Sequence, residues 1–157
     1  MPHINHGRVF ESDSISVFDA LLSALAKRRW APQRVGDEVP LPKRGCCYRW
    51  QTPTALRTGR VLEVRRPLLL TLDETLDDPP CCVGLRLRWR LDALTDGSQL
   101  RLDLRYSLNA AATVRQGHWR ARLERHCLRM YEFVAIEIRL REEAARASCE
   151  RRYGIGS

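Results

Sequence analysis

Long hydrophobic runs are absent from this sequence, and its first residues do not have the pattern expected of a secretory signal. No stretch of about 18 consecutive apolar residues occurs, which excludes a membrane-spanning helix. Residues Met1 to His6 lack the basic start and apolar stretch that a secretory signal needs. Because 44% of the 157 residues are apolar and 29% are charged, we expect one soluble, cytoplasmic domain with a sizeable core.

Lysine is nearly absent as well. Lys27 and Lys43 are the only lysines, so arginine carries almost all of the net charge of +8. The arginines are spread along the chain without a block of like charge, and only 7% of the residues are aromatic. Because nucleic-acid binding depends on clustered cations and exposed rings, the pattern disfavours a nucleic-acid partner.

Metal-binding and redox spacings are missing too. The cysteines form two adjacent pairs, Cys46-Cys47 and Cys81-Cys82, and two single residues, Cys127 and Cys149, with no CxxC motif. On a strand, each pair would direct one thiol inward and one outward. No Ser-His-Asp order, phosphate loop or HExxH motif occurs. We therefore predict no metal site, no cofactor and no catalytic residue.

Strand-like and helical patterns are present, and they follow one another in a clear order. A first strand covers residues 4–12, and Asp13-Ser14 caps a helix whose apolar positions recur every three or four residues. That helix continues to Trp30, Pro32 blocks it, and a second short helix after it is left open. Four strands are predicted next, within 36–42 and at Cys46–Gln51, Gly59–Val64 and Leu68–Leu76.

A hairpin over residues 83–108 is the clearest local prediction. Leucines alternate with arginines on both sides of Asp96-Gly97, a dipeptide that favours a tight turn. The leucine face then packs inward and the arginine face meets water. If Thr95 faces Ser98, two pairs of opposite charges lie directly across the strands: Asp92 with Arg101, and Arg90 with Asp103.

The last helix is predicted from Thr113 to Arg146. At 1.5 Å per residue it would be about 50 Å long, more than a small domain is wide. We therefore expect it to project beyond about Arg141, with a single domain over 1–147 and a flexible tail over 148–157. Its apolar stripe contains Trp119, Leu123, Cys127, Met130 and Val134, with His126, Phe133 and Glu137 along the edge.

Three local motifs add a resemblance to a known superfamily. Gly59 to Leu70 (GRVLEVRRPLLL) resembles a strand pair with glycine, valine, glutamate and proline in that order. Residues 89–102 are similar to a hairpin of that superfamily, since they run from Trp-Arg-Leu through Asp-Gly to Leu-Arg-Leu. His118-Trp119 is similar to the start of the superfamily's final helix. Over Ile4 to about Glu143, the chain resembles the START-like (SRPBCC) superfamily, which includes polyketide cyclases and lipid-transfer domains.

The resemblance implies an α+β helix-grip fold. In that fold a curved antiparallel sheet of about seven strands wraps around the C-terminal helix, with one or two short helices after the first strand. It also implies a cavity for a hydrophobic small molecule, such as a lipid, a polyketide or an aromatic compound. The superfamily shares no catalytic residues, so none is carried over. The candidate ligand-binding residues are Trp50, Trp89, Leu102, Leu104, Tyr106, Trp119, His126 and Met130.

Three functions stay open at this point. The first is binding or transport of the hydrophobic ligand, and the second is a cyclase/dehydratase in which His126, with Tyr106 or Tyr48, acts as acid and base. The third is a protein-interaction module that uses the arginine-rich outer face. A plainer interpretation accounts for the same residues: the tryptophans fill the sheet–helix interface, His126 caps a core edge, and Glu137 pairs with a sheet arginine.

Overall fold

One antiparallel sheet and one long helix dominate the computed structural model, which describes residues 1–30 and 42–154. The strands are β1 (His3–Phe10), β2 (Cys47–Gln51), β3 (Leu56–Arg65), β4 (Leu69–Asp78), β5 (Cys81–Leu94) and β6 (Gly97–Leu108). The helices are α1 (Ser14–Leu25), extended by a π-helical turn (Ala26–Trp30), α2 (Ala110–Thr113) and α3 (Gln116–Tyr153).

The strands form a sheet in the order β1-β6-β5-β4-β3-β2, and every neighbouring pair is antiparallel. This curved sheet, the short helices after β1 and the long C-terminal helix confirm the predicted α+β, helix-grip fold. Six strands lie in the described ranges. The further strand predicted within 36–42 and the second short helix after Pro32 fall largely outside them.

Helix α1 begins where the sequence places its cap. The Asp13 carboxylate accepts a hydrogen bond from the Ser16 backbone N–H at 2.7 Å, which satisfies one of the free donors of the first turn. Phe18, Leu22 and Leu25 are buried as predicted, and Ile15 is exposed. Because α1 packs against α3, it holds the π-helical turn over the interior of the sheet.

The β5–β6 hairpin keeps its predicted faces but not its predicted register. Its turn consists of Thr95 and Asp96, and Leu94 pairs with Gly97. Gly97 has a φ of 153°, and a Cβ at this position would collide with the Phe10 carbonyl oxygen. The positive φ and the lack of space both disfavour a side chain at position 97. The turn begins at Thr95, one residue earlier than expected.

The earlier turn shifts every cross-strand pair by two positions, so the predicted pairing of Asp92 with Arg101 and of Arg90 with Asp103 is wrong. A shift of two leaves each side chain on its original face, and the leucines still point inward. Asp92 nevertheless reaches Arg101 diagonally in an ion pair. The observed opposite residues are Asp92 with Gln99, Arg90 with Arg101, and Arg88 with Asp103.

Helix α3 buries the stripe that its periodicity predicts. A short helical turn, α2, precedes it, so α3 begins at Gln116 instead of Thr113. Residues 139–154 are all exposed, as expected for a projecting end, and the helix continues to Tyr153, past the boundary set at 147. Whether residues 148–157 are flexible stays a prediction. None of the helices in the described ranges is long and apolar enough to cross a membrane.

The sheet packs its apolar face on α1 and α3 around β1, β5 and β6. Trp89 is fully buried, and its ring meets the Tyr131 ring edge-on with centroids 5.6 Å apart. The Tyr131 hydroxyl accepts a hydrogen bond from the Leu102 backbone N–H at 3.0 Å and donates to the His6 carbonyl oxygen at 2.8 Å. This hydroxyl therefore ties α3 to both β1 and β6.

Candidate functional site

A pocket of about 540 Å³ lies between α3 and the ends of three strands, β2, β3 and β4. The sheet side is formed by Trp50, Thr52, Thr54, Ala55, Arg57 and Leu76. The helix side is formed by His118, Arg122, Leu123, Arg125, His126 and Arg129. Since residues three and four apart share a helix face, the first half of α3 presents most of its basic groups to this one pocket.

Beneath the pocket, a carboxylate is buried between two arginines. Glu74 comes from β4, Arg57 from β3 and Arg29 from the π-helical turn. The Arg29 Nε lies 2.7 Å from one Glu74 oxygen, and an Arg57 terminal nitrogen lies 3.1 Å from the other. Burial alone would raise the pKa of Glu74, but the two guanidinium groups and the Tyr48 hydroxyl hold it below its ordinary value. Glu74 is therefore ionised in the interior.

Tyr48 also contacts the Glu74 carboxylate. Its hydroxyl donates a hydrogen bond to Glu74 Oε2, and its ring lies across Gly59 on the neighbouring strand. A Cβ at position 59 would collide with that ring, so glycine is what allows the tyrosine to reach Glu74. Burial, followed by the negative charge of Glu74, raises the pKa of Tyr48. The phenol therefore acts as a hydrogen-bond donor and not as a base.

His126 joins the buried groups to the pocket. Its Nε2 lies 2.9 Å from an Arg29 terminal nitrogen and 3.4 Å from one of Arg57. Because a guanidinium can only donate, the ring nitrogen must accept, which assigns the neutral form with its proton on Nδ1. Burial lowers the pKa of His126 well below its ordinary value, and the positive charges of Arg57 and Arg29 add to that effect. His126 is thus a poor general acid near neutral pH.

The predicted ligand-binding residues divide into two groups. Trp50 and His126 line the pocket. The other six do not line it and are buried in the sheet–helix core: Trp89, Leu102, Leu104, Tyr106, Trp119 and Met130. Trp119 lies below the Arg122 guanidinium, 4.8 Å from ring centre to cation. Ligand contact by any of the eight stays a prediction.

Glu137 is placed differently from the sequence-based expectation. It was expected to pair with a sheet arginine, but its partners come from α1 and the turn after it. The Ser23 hydroxyl donates to the buried Glu137 carboxylate at 3.0 Å, and Lys27 forms an ion pair with it. The expectation is wrong because α1, not the sheet, lies over this part of α3. Glu137 therefore fastens the two helices together.

Sequence reasoning missed three residues of the buried cluster: Arg29, Arg57 and Glu74. A signal existed for Glu74 and Arg29. Glu74 has the same strand parity as Leu70 and Leu72, which face the core, and Arg29 lies four residues after the buried Leu25. Charged residues at such positions suggest a buried ionic network when several elements contribute one each.

A second depression, of about 940 Å³, lies on the outer face of the sheet. It is lined by residues of both charge signs, and the exposed Asp73–Arg86 ion pair, with 2.8 Å between Oδ1 and Nε, lies within it. The arginine-rich face proposed from the sequence is thus partly neutralised. It is also more open than the pocket against α3.

Comparison with known proteins supports the fold and gives no family. No family model and no curated protein matches the sequence. A conserved protein from Geobacillus kaustophilus is similar in structure, with a TM-score of 0.65 and 14% identity over 87% of this chain and 95% of that one.

Two further solved structures are similar over most of this chain. DynU16, from the dynemicin biosynthetic locus, has a TM-score of 0.62 and 15% identity, and the match covers 87% of this chain and 47% of DynU16. CalU16 from Micromonospora echinospora has a TM-score of 0.54 and 21% identity over 95% of this chain and 82% of that one. At these identities the similarity shows a shared fold.

Proposed function

We propose that this protein binds or carries a hydrophobic small molecule in the pocket between α3 and strands β2–β4, as a member of the START-like superfamily. The observation that carries the proposal is the pocket itself. Its volume of about 540 Å³ is within the usual range of small-molecule sites, about 300–1,000 Å³. Trp50, Ala55, Leu76 and Leu123 give it apolar walls.

Binding without chemistry is favoured over a cyclase or dehydratase. His126 is the only candidate acid–base residue of the sequence prediction that lines the pocket, and its Nε2 already accepts from Arg29. Tyr106 is buried in the core, and the Tyr48 hydroxyl is engaged by Glu74. A lipid, a polyketide or an aromatic compound all fit the proposal. The similarity to DynU16, from a biosynthetic locus, supports a biosynthetic small molecule.

The proposal is tested by measuring what the purified protein binds. Native mass spectrometry, compared with a denatured sample, should show an added mass that denaturation releases. The uncharged dye N-phenyl-1-naphthylamine should become fluorescent in the pocket. Thr54→Trp, at the exposed rim, should block both signals by filling the entrance.

Leu94→Trp is the control, because it adds the same indole at the hairpin tip at the far end of the sheet. This variant should keep both signals. Absence of a bound mass together with no dye binding would overturn the proposal. If Thr54→Trp keeps the dye signal as fully as Leu94→Trp does, the dye binds elsewhere, and that result would also overturn the proposal.

A further inference from the structure

Every formal charge on the pocket wall is positive. Arg57, Arg122, Arg125 and Arg129 line it, and no aspartate or glutamate is among its lining residues within the described ranges. These four arginines come from one strand and one helix and line a single pocket whose walls are partly apolar. A pocket of this kind concentrates positive potential, because its low-dielectric walls focus the field.

Two of these arginines have a carboxylate partner and two have none. Arg122 is paired with Asp78 at 3.2 Å, and Arg57 with Glu74. In contrast, neither Arg125 nor Arg129 lies within ion-pair distance of any carboxylate in residues 1–30 and 42–154. Both are exposed at the pocket wall and available to a ligand.

The buried groups beneath the pocket also carry an excess positive charge; they are Arg29, Arg57, Glu74 and His126. Arg29 and Arg57 share the single carboxylate of Glu74, and His126 is neutral, so one positive charge is uncompensated. The Arg57 side chain is only 8% exposed, and its Nε has no hydrogen-bond partner among the described residues. An uncompensated buried charge is costly, and an anion placed beside it would offset that cost.

We infer that the pocket takes an amphipathic anion. Its acidic group lies among Arg57, Arg125 and Arg129, and its apolar body rests on Trp50 and Leu123. This inference rests on the proposed function and narrows the ligand class. The acidic group is a carboxylate or a phosphate, both of which arginine binds through charge-assisted hydrogen bonds.

The test compares two dyes that share a skeleton and differ in one anionic group. 8-Anilinonaphthalene-1-sulfonate carries a sulfonate that N-phenyl-1-naphthylamine lacks. The sulfonated dye should bind about tenfold more tightly, or better, because a charge-assisted hydrogen bond is worth at least that much. Competition by dodecanoate, dodecyl phosphate and uncharged dodecanol then separates the two acidic groups, and both anions should displace the dye better than the alcohol.

The R125Q/R129Q double variant should reduce the dye preference to within about threefold, because the loss of affinity should fall mainly on the sulfonated dye. R139Q/R146Q is the control, since it removes the same charge from the projecting part of α3 and should leave the preference intact.

Equal affinities for the two dyes, or an unchanged ratio in R125Q/R129Q, would overturn the inference. The proposed function would survive that result as long as Thr54→Trp still blocks the uncharged dye. If neither dye binds, the inference fails, and the proposed function fails with it when no bound mass is found either.

Discussion

The interior of this fold has two halves that are stabilised by different interactions. The apolar half, around β1, β5 and β6, contains Trp89, Leu102, Leu104 and Tyr131. The polar half, toward β2–β4, contains Arg29, Tyr48, Arg57, Glu74 and His126. The apolar half is held by packing of its buried side chains. In the polar half each charge depends on its partners, and the pocket against α3 adjoins this half.

Removing the charge of Glu74 should be the most damaging single change. Glu74→Gln keeps the shape but leaves Arg29 and Arg57 without a buried counter-charge, so the free energy of unfolding should fall by about 3–5 kcal/mol. Urea unfolding measures the loss. Asp73→Asn is the control one residue away, where the exposed ion pair with Arg86 is worth less than about 1 kcal/mol. Equal losses in both variants would contradict the role of Glu74 as the buried counter-charge of Arg29 and Arg57.

Truncating a core leucine tests the apolar half. Leu104→Ala should lower the free energy of unfolding by about 2–5 kcal/mol, because it removes buried methyl groups and leaves a cavity. Leu68→Ala, at an exposed leucine, should change it by less than about 0.5 kcal/mol. The affinity for N-phenyl-1-naphthylamine should not change, since Leu104 does not line the pocket. A weakened affinity would instead restore Leu104 as a ligand-binding residue.

The Tyr131 hydroxyl forms polar contacts within the apolar half. Tyr131→Phe leaves the Leu102 N–H without its acceptor in the interior, so the free energy of unfolding should fall by about 1–3 kcal/mol. Hydrogen exchange at the Leu102 amide should quicken as well, which a loss of ring packing alone would not explain. Unchanged exchange at Leu102 would show that this hydrogen bond does not secure β6.

The two halves also differ in how far the sequence predicts them. Alternation in residues 83–108 and the stripe on α3 predict which side chains are buried in the apolar half, and the structure confirms both. The hairpin register could not be derived, because the close approach of the Phe10 backbone to Gly97 is a contact with another strand that the local pattern does not show. Arg29, Arg57 and Glu74 of the polar half were missed, because an arginine or glutamate in a strand usually faces water, and tertiary contact brings Arg29 to Glu74.

His126 allows the polar half to be tested by pH. In the unfolded chain its pKa is about 6.5, whereas in the folded protein burial and the neighbouring arginines hold it well below that value. Below about pH 6.5 the unfolded state therefore binds a proton that the folded state does not bind. As the pH falls, the free energy of unfolding decreases by up to about 1.4 kcal/mol per pH unit. His126→Gln keeps an acceptor but does not titrate, so its unfolding free energy should fall less steeply between pH 7 and 5.5.

His118→Gln is the control, because the His118 ring is exposed at the pocket rim and the variant should keep the wild-type slope. Glu74 does not interfere in this range. Its pKa is held below the ordinary value in the folded protein, so its loss of stability sets in only at more acidic pH. A wild-type slope in His126→Gln would mean that the imidazole is protonated in the fold. Its Nε2 could then not accept from Arg29, and the assignment of a neutral His126 at the pocket floor would fail.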